Sequence, residues 1–488
     1  MKLRRVLQAQ VVLVCIAVGC AAQTPTVTWP DTAPAKLFHE WLSMCASPDA
    51  AALEAWSAAH YQDKFLKRVS AKEIAESDMA ECSVHGGYRP VQVLESKPDG
   101  LDILVEGIKS GAFVQLGLKT GDGGKLGPMQ GNAATLPESM LPKDLSDAAI
   151  EKATQSSLDK LGKQGIASGI VMAAKGAQPI VTATVGYADR QKKTPFTPST
   201  QFTIGSMGKM FTAAGIGLLV DQGKISYDDK VGKFFPEYPN KTVREKVTVG
   251  MLLSHTGGMG DFLRKRTPQM MKNGVKRADE FMPLYDNDEP RFEPGTSWAY
   301  SNAGLALAGA ILEKVSGEDY PTYIRKHIFQ VAGMNNSDPN NIPHSDPRLV
   351  TPYTRQTEQG PSKDWHEAEH DVGSPAGGAI STAEDLIKFA DALRSGKLVS
   401  SATFRTMAQQ HGKTPWGGQY GYAMEIEDVY GQTVVGHGGG FPGVNTHLYI
   451  VMDSPYTVVT LANQDPPAAE FAGQQLESLI VAKAKQKK

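Results

Sequence analysis

The chain has 488 residues, 41% hydrophobic and 21% charged, with 50 basic against 52 acidic side chains for a net charge of −2. That length accommodates two or three domains, and the balanced charge leaves no electrostatic footprint for nucleic acid or an anionic membrane surface. The 49 glycines and 30 prolines are spread along the chain, so no long disordered tract is implied.

The first 22 residues read as a targeting segment. "MKLRR" is a basic start, "VVLVCIAV" a short apolar core and "GCAAQ" a small-residue exit. The apolar run is too short to span a bilayer, and no later window reaches the needed length. The expected protein is exported, periplasmic or secreted. A lipoprotein anchored at Cys20 competes with that reading, although Ala17 stands where such signals usually carry Leu. Inside the folded sequence only Cys45 and Cys82 remain; in an oxidising compartment they are a disulfide candidate, against two separate buried thiols.

Residues 33–132 form a first unit. "PAKLFHEWLSMCASPDAAALEAWSAAHY" and "SAKEIAESDMAECS" have helical spacing; "YRPVQVLES", "LDILVEGIK" and "AFVQLGLKT" alternate with period two between turn dipeptides. Helices followed by an antiparallel meander resemble a nuclear-transport-factor-like α+β cone, a likeness of architecture with no motif behind it. Residues 133–145, with "TLPESMLPKDLS", read as a linker.

From 146 to 488 the chain reads as one large α/β unit. A helix ("DAAIEKATQSSLDKLGKQG") and two strands ("GIVMAAKG", "PIVTATVGYAD") open it. Four strands ("YGYAMEIE", "QTVVGHGGG", "NTHLYIVMD", "YTVVTLAN") and the helix "AAEFAGQQLESLIVAKAK" close it. A sheet supplied by both ends makes the long middle an inserted helical domain, and sites tend to lie at such seams.

Chemistry concentrates in "FTIGSMGKMFTAAGIGLLVDQG". After Gly205 it is apolar on nearly every side, the pattern of a helix buried in the middle of a domain. Lys209 stands three residues after Ser206, so the two share a face. A hydroxyl is a poor nucleophile until a base takes its proton, and burial together with the positive end of a helix turns a lysine towards the uncharged amine that can do so. Ser-x-x-Lys alone is weak: about two chance matches are expected in a chain of this length. The second, Ser157 to Lys160, lies on the solvated face of the opening helix.

Tyr-x-Asn occurs at Tyr238, Tyr285 and Tyr300. The first two fall in "FFPEYPNK" and "LYDNDEP", which read as surface loops; the third, in "EPGTSWAYSNAGLALAGAIL", leads into another buried helix. "VVGHGGGFPG" ends a strand in consecutive glycines around His437, which let a substrate approach the backbone and leave N–H groups free for an oxyanion. Two other His-x-Gly matches, at His85 and His255, read as a front-unit residue and a turn residue.

Ser206-Met-Gly-Lys209, Tyr300-Ser-Asn302 and His437-Gly-Gly439, in that order, resemble the three motifs of the serine β-lactamase and penicillin-binding-protein superfamily, nearest its class C-like branch of DD-peptidases, esterases and D-amino-acid peptidases. "VTVGMLLSHTGGM" and "SPAGGAISTAEDLIKFADAL" are similar to recurring segments of that family, and the match covers about residues 146–485. The resemblance implies an α/β (α+β) β-lactamase/transpeptidase-like fold: an antiparallel sheet flanked by terminal helices, with an inserted helical domain. It implies Ser206 as acylated nucleophile, Lys209 as its base, and Tyr300 as base or proton shuttle with its phenol pulled down by Lys209. Asn302 would hold the substrate flank, and the N–H groups of Ser206 and Gly440 the oxyanion. His437 replaces the usual lysine of this position, which lessens the demand for a substrate carboxylate and favours esters or amides.

Rival constellations are weaker. His366-Glu-Ala-Glu-His370 matches a zinc-protease pattern, but the flanks leave at most about two helical turns, so a polar loop at the cleft mouth is expected instead. A lipase-like reading of the glycines fails because Ile204 stands where Gly-x-Ser-x-Gly needs a glycine. The expectation is an exported serine hydrolase acting on an ester, D-amino-acid peptide or β-lactam, with neither metal nor organic cofactor. A slowly acylated penicillin-recognising sensor is the alternative. The stretch "FLRKRTPQMMKNGVKRADEFMPLYDN" is expected to wall the pocket, its Met270, Met271 and Met282 being either core or substrate surface.

Overall fold

The computed structural model describes residues 27–486 except 268, 269, 271–275, 341–346, 358, 359, 368–372 and 416. The targeting segment and Cys20 lie outside the described residues. Among those described, no helix is long and apolar enough to cross a membrane.

The front unit begins with helices Ala33–Cys45, Ala50–His60 and Ala71–His85. Asp49 caps the second by accepting from the Ala52 N–H, and Ser70 with Glu73 forms a full capping box on the third. Gly86, at φ 69°, stops that helix in the left-handed conformation glycine adopts most easily. Cys45 and Cys82 join the first and third of these helices as a disulfide with Cα atoms 5.0 Å apart. An antiparallel meander follows: β1 (Tyr88–Lys97), β2 (Gly100–Gly107), β3 (Phe113–Lys119) and β4 (Gln130–Ala133), in that spatial order. β4 carries no apolar alternation, and its pairing to β3 comes from backbone contacts that side-chain pattern does not report.

The second unit is built on an eight-stranded antiparallel sheet. Its strands are β5 (Gly169–Lys175), β6 (Gln178–Val185), β11 (Gly412–Lys413), β12 (Gln419–Tyr420), β13 (Glu425–Val429), β14 (Gln432–Phe441), β15 (Val444–Val451) and β16 (Tyr456–Ala462), in the order β11-β12-β13-β14-β15-β16-β5-β6. β16 is buried along its whole length, as a central strand covered on both faces must be. The terminal helices Asp147–Lys163 and Ala468–Lys485 pack together beside β16, β5 and β6. Between β6 and β11 the chain makes the inserted helical body, in which Phe211 packs edge-on against Phe329 and Phe389 at 4.9 and 4.8 Å. There the short β7 (Phe202–Thr203) pairs with β10 (Ile380–Ser381), and β8 (Tyr353–Thr357) pairs with β9 (Gly360–Glu367).

The helix Ala468–Lys485 is buried on almost every side because it also carries the front unit. Gln474 donates to the Phe113 carbonyl, and the Leu136 N–H donates to Ser478. Phe38, Trp41 and Val114 of the front unit share one apolar cluster with Ile150, Leu476 and Ile480.

Several expectations are corrected. Tyr238 and Tyr285, expected on surface loops, are 1% and 2% exposed: the loops are polar, but each anchors itself by one aromatic ring in the core. His366 stands on β9, a strand rather than a loop, and His370 lies outside the described residues. Of the methionines in the supposed pocket wall, Met270 and Met282 pack against the main core, while Met271 is outside the described residues.

Candidate active site

Ser206 sits where β7 turns into a helix buried along most of its length. Gly205 takes φ +53°, and a Cβ there would lie 3.3 Å from the Gly439 Cα and the Gly440 nitrogen. A glycine meets both demands. Residues Gly205–Gly208 form a 3-10 turn before the α-helix Lys209–Asp221, where the sequence suggested one continuous helix. In a 3-10 turn, side chains three apart eclipse, and Lys209 Nζ accordingly lies 2.8 Å from Ser206 Oγ.

Lys209 is fully buried, and its Nζ also lies 2.8 Å from Asn302 Oδ1 and 2.5 Å from the Ala376 carbonyl. Those two oxygens can only accept, so each takes an N–H. The serine hydroxyl can either accept a third N–H from an ammonium or donate its proton to the lone pair of an amine. A proton can thus pass between Ser206 and Lys209 while every other bond stays in place.

Asn302 opens the helix Asn302–Ser316, which Ser301 caps by accepting from the Gly304 N–H. Its amide orientation is fixed: Oδ1 faces Lys209, and Nδ2 donates to Asp261 Oδ2 at 2.7 Å. Ser301 Oγ donates to the Gly260 carbonyl, tying the same loop down. Tyr300 precedes this helix, half-buried, with Lys209 Nζ 4.7 Å from its ring centre. Burial pushes its phenol above the usual range, and the neighbouring Ser206 only partly offsets this. The expected lowering by Lys209 does not appear: desolvation of the phenolate dominates, and the Glu425 and Asp261 carboxylates act in the same raising direction.

The third motif lies on β14. A two-residue turn, Pro442-Gly443 with Gly443 at φ +76°, joins it to β15. That turn makes Phe441 with Val444, Gly439 with Thr446 and His437 with Leu448 the hydrogen-bonded pairs, so the peptide groups of Gly438 and Gly440 point to the other edge. β13 pairs with β14 only as far as Gly436. The Gly440 N–H is thereby left on an open edge beside the nucleophile turn, whose first N–H groups have no partner within the helix. Gly439 meets a tight approach: a Cβ there would lie 2.0 Å from the Ile204 carbonyl.

His437 is buried with both ring nitrogens engaged. Nδ1 lies 2.5 Å from the Gly438 carbonyl, which can only accept, so Nδ1 carries the hydrogen; Nε2 accepts from Tyr420 at 2.9 Å. The Tyr420 oxygen is 3.1 Å from Nε2 of His255, whose Nδ1 accepts the Ser301 N–H. Burial and the charge of Lys209 bring His437 down to about 3 and hold His255 well below its ordinary value. His255 does make a turn, at φ +61°, but its ring also packs against Tyr300, tilted by 43° with the ring centres 4.4 Å apart. Sequence reasoning missed that second role, along with Asp261, Ala376 and Tyr420. Only His255 and Ala376 fall in segments whose family likeness could have flagged them.

Among the described residues no group of three or more His, Cys, Asp or Glu side chains is placed to hold a metal. Residues 147–482 match the Beta-lactamase family. The chain is 29% identical over 331 residues to penicillin-binding protein 4* of Bacillus subtilis, a match covering 64% of this chain and 72% of that one. It is 24% identical over 322 residues to a D-aminopeptidase of Cereibacter sphaeroides, covering 64% of this chain and 60% of the relative. A D-amino acid amidase from Ochrobactrum anthropi, solved with D-phenylalanine, superposes with a TM-score of 0.61 at 22% identity, over 70% of this chain and all of that one, a likeness of fold.

Proposed function

This chain belongs to the beta-lactamase family of serine hydrolases, and on that premise we propose that it cleaves esters or amides through a covalent acyl-enzyme at Ser206. One observation carries the proposal: the buried Lys209 nitrogen touching Ser206 Oγ with two further fixed acceptors. Lys209 takes the Ser206 proton as Oγ attacks the carbonyl carbon. The oxyanion forms against the N–H groups of Ser206 and Gly440. Tyr300 gives its phenolic proton to the leaving group and regains one from the Ser206–Lys209 pair. Water then attacks the acyl-enzyme along the reverse path. A phenol held protonated by burial suits a donor, so Tyr300 is read as the proton shuttle.

The substrate reading follows from His437. Both its nitrogens serve internal bonds and it stays neutral, so it offers no charge to a substrate carboxylate. Esters and amides without that group are favoured over β-lactams and peptides ending in a free D-alanine; the D-aminopeptidase relative supports the amide branch. The protein is read as exported. A panel of p-nitrophenyl esters, D-amino-acid amides, a D-alanyl-D-alanine peptide and a chromogenic cephalosporin tests this with wild type and Ser206→Ala. Multiple turnovers lost in the variant are expected; one-to-one labelling without turnover indicates a sensor, and activity retained in Ser206→Ala removes the assignment.

A further inference from the structure

We propose that Asn445 is a positioning residue for the oxyanion N–H of Gly440, holding it through the carbonyl of the same peptide group, and that Glu470 holds Asn445 in turn. This rests on the reading of Ser206 as nucleophile. Three consecutive glycines, Gly438, Gly439 and Gly440, run through this part of β14. Glycine backbone is the least restrained of all, and past Gly436 the strand pairs with β15 and not with β13. A donor assists the reaction only if it is aimed before charge develops. The stretch therefore depends on an anchor outside itself.

Asn445 lies opposite Gly440 on β15 and is 1% exposed. Its Oδ1 accepts the Ala469 N–H at 2.6 Å, which fixes the orientation of the amide. Nδ2 then gives one hydrogen to the Gly439 carbonyl and the other to Glu470 Oε1, each at 3.2 Å. The same Glu470 oxygen lies 3.0 Å from Nε2 of His447. A trans peptide points its C=O and N–H in opposite directions. With the Gly439 carbonyl held towards β15, the Gly440 N–H is aimed at the open edge beside Ser206. The second oxyanion donor is fixed in the same manner: the Gly205 carbonyl accepts the Gly378 N–H at 3.0 Å, and the Ser206 N–H is the far end of that peptide. Asn445 thus has two roles on two atoms. Oδ1 starts the helix Ala468–Lys485, whose own N-cap residue makes no side-chain cap bond, and Nδ2 serves the glycine strand.

The test separates those atoms. Asn445→Asp keeps the shape and the acceptor for Ala469 and exchanges the donor for an oxygen; Asn445→Ala removes both. Each is assayed at about pH 8 with p-nitrophenyl acetate and with phenylboronic acid, whose boron becomes tetrahedral on taking the Ser206 oxygen and sets an oxygen where the oxyanion would form. Removing an oxyanion donor outright costs about 10²–10³-fold in kcat, so a misaimed one should cost about tenfold or more in both variants, with KM changed by less than about threefold. The inhibition constant of phenylboronic acid should rise by a factor comparable to the fall in kcat. Asn445→Asp with wild-type kcat, or a fall in kcat with the boronate constant unmoved, overturns the proposal; the aspartate variant decides where circular dichroism shows the alanine variant unfolded. Activity retained in Ser206→Ala removes the nucleophile reading and this proposal with it. Activity lost there, with wild-type kcat in Asn445→Asp, overturns the positioning role alone.

Discussion

The phenolic oxygen of Tyr420 stands 2.9 Å from Nε2 of His437, so the histidine of the third motif is occupied from inside the protein. The same oxygen serves His255 at 3.1 Å, which links the second and third motifs through one hydroxyl. Tyr420→Phe removes a donor and an acceptor together and leaves two buried ring nitrogens unpaired. The expected cost is about 1–3 kcal/mol of stability. A double-mutant cycle with His437→Gln, read by urea unfolding, should give a coupling of about 1 kcal/mol; strict additivity would show that the contact contributes nothing.

Lys209→Met keeps the volume of the side chain and removes the base. General-base catalysis is worth about 10²–10⁴-fold, and the expected fall in kcat is of that size or greater. Circular dichroism and near-native thermal unfolding check that the loss is chemical. A variant with more than a tenth of wild-type kcat would rule Lys209 out as the base.

Because burial keeps the Tyr300 phenol protonated, its removal should matter most where the leaving group needs a proton. Tyr300→Phe is expected to slow hydrolysis of an ethyl ester about tenfold more than that of the matching p-nitrophenyl ester, since p-nitrophenolate departs unprotonated. Steady-state kcat/KM for the two esters gives the comparison. Equal losses would argue for a positioning role instead.

Behind the glycine strand, His447 lies 3.0 Å from Glu470, and Glu477 is buried nearby. Burial alone would lower His447, yet Glu470 and its neighbours outweigh this and bring it up to about 9 from 6.5. Burial holds Glu477 protonated up to about 8, from 4.5. In both cases the folded state keeps a proton that the unfolded chain has released. The His447 contribution is therefore complete below pH 6.5 and lost as pH rises through about 9, and Glu477 acts in the same direction from 4.5 to 8. Stability should fall between pH 7 and 9.5 by on the order of 1–3 kcal/mol, and His447→Asn should flatten the slope. Denaturant midpoints that stay level or rise over that range contradict the assignment.

Local spacing carried much of this protein. The three-residue step from Ser206 to Lys209 places them on one face whatever surrounds them, and the glycines after His437 announce a close backbone approach by their own chemistry. The terminal strands and the buried helices were equally legible, because periodicity reports which face meets the core. What spacing does not carry is a side chain's partner across the fold. Asp261 acquires its place from Asn302, Tyr420 from His437 and His255, and Ala376 from Lys209, and nothing within a few residues of each announces the contact. The rise of the Tyr300 phenol, the burial of Tyr238 and Tyr285 and the merging of the front unit's core with the last helix are of the same kind. Desolvation and electrostatic fields sum over every neighbour in space, and only the tertiary structure says who the neighbours are.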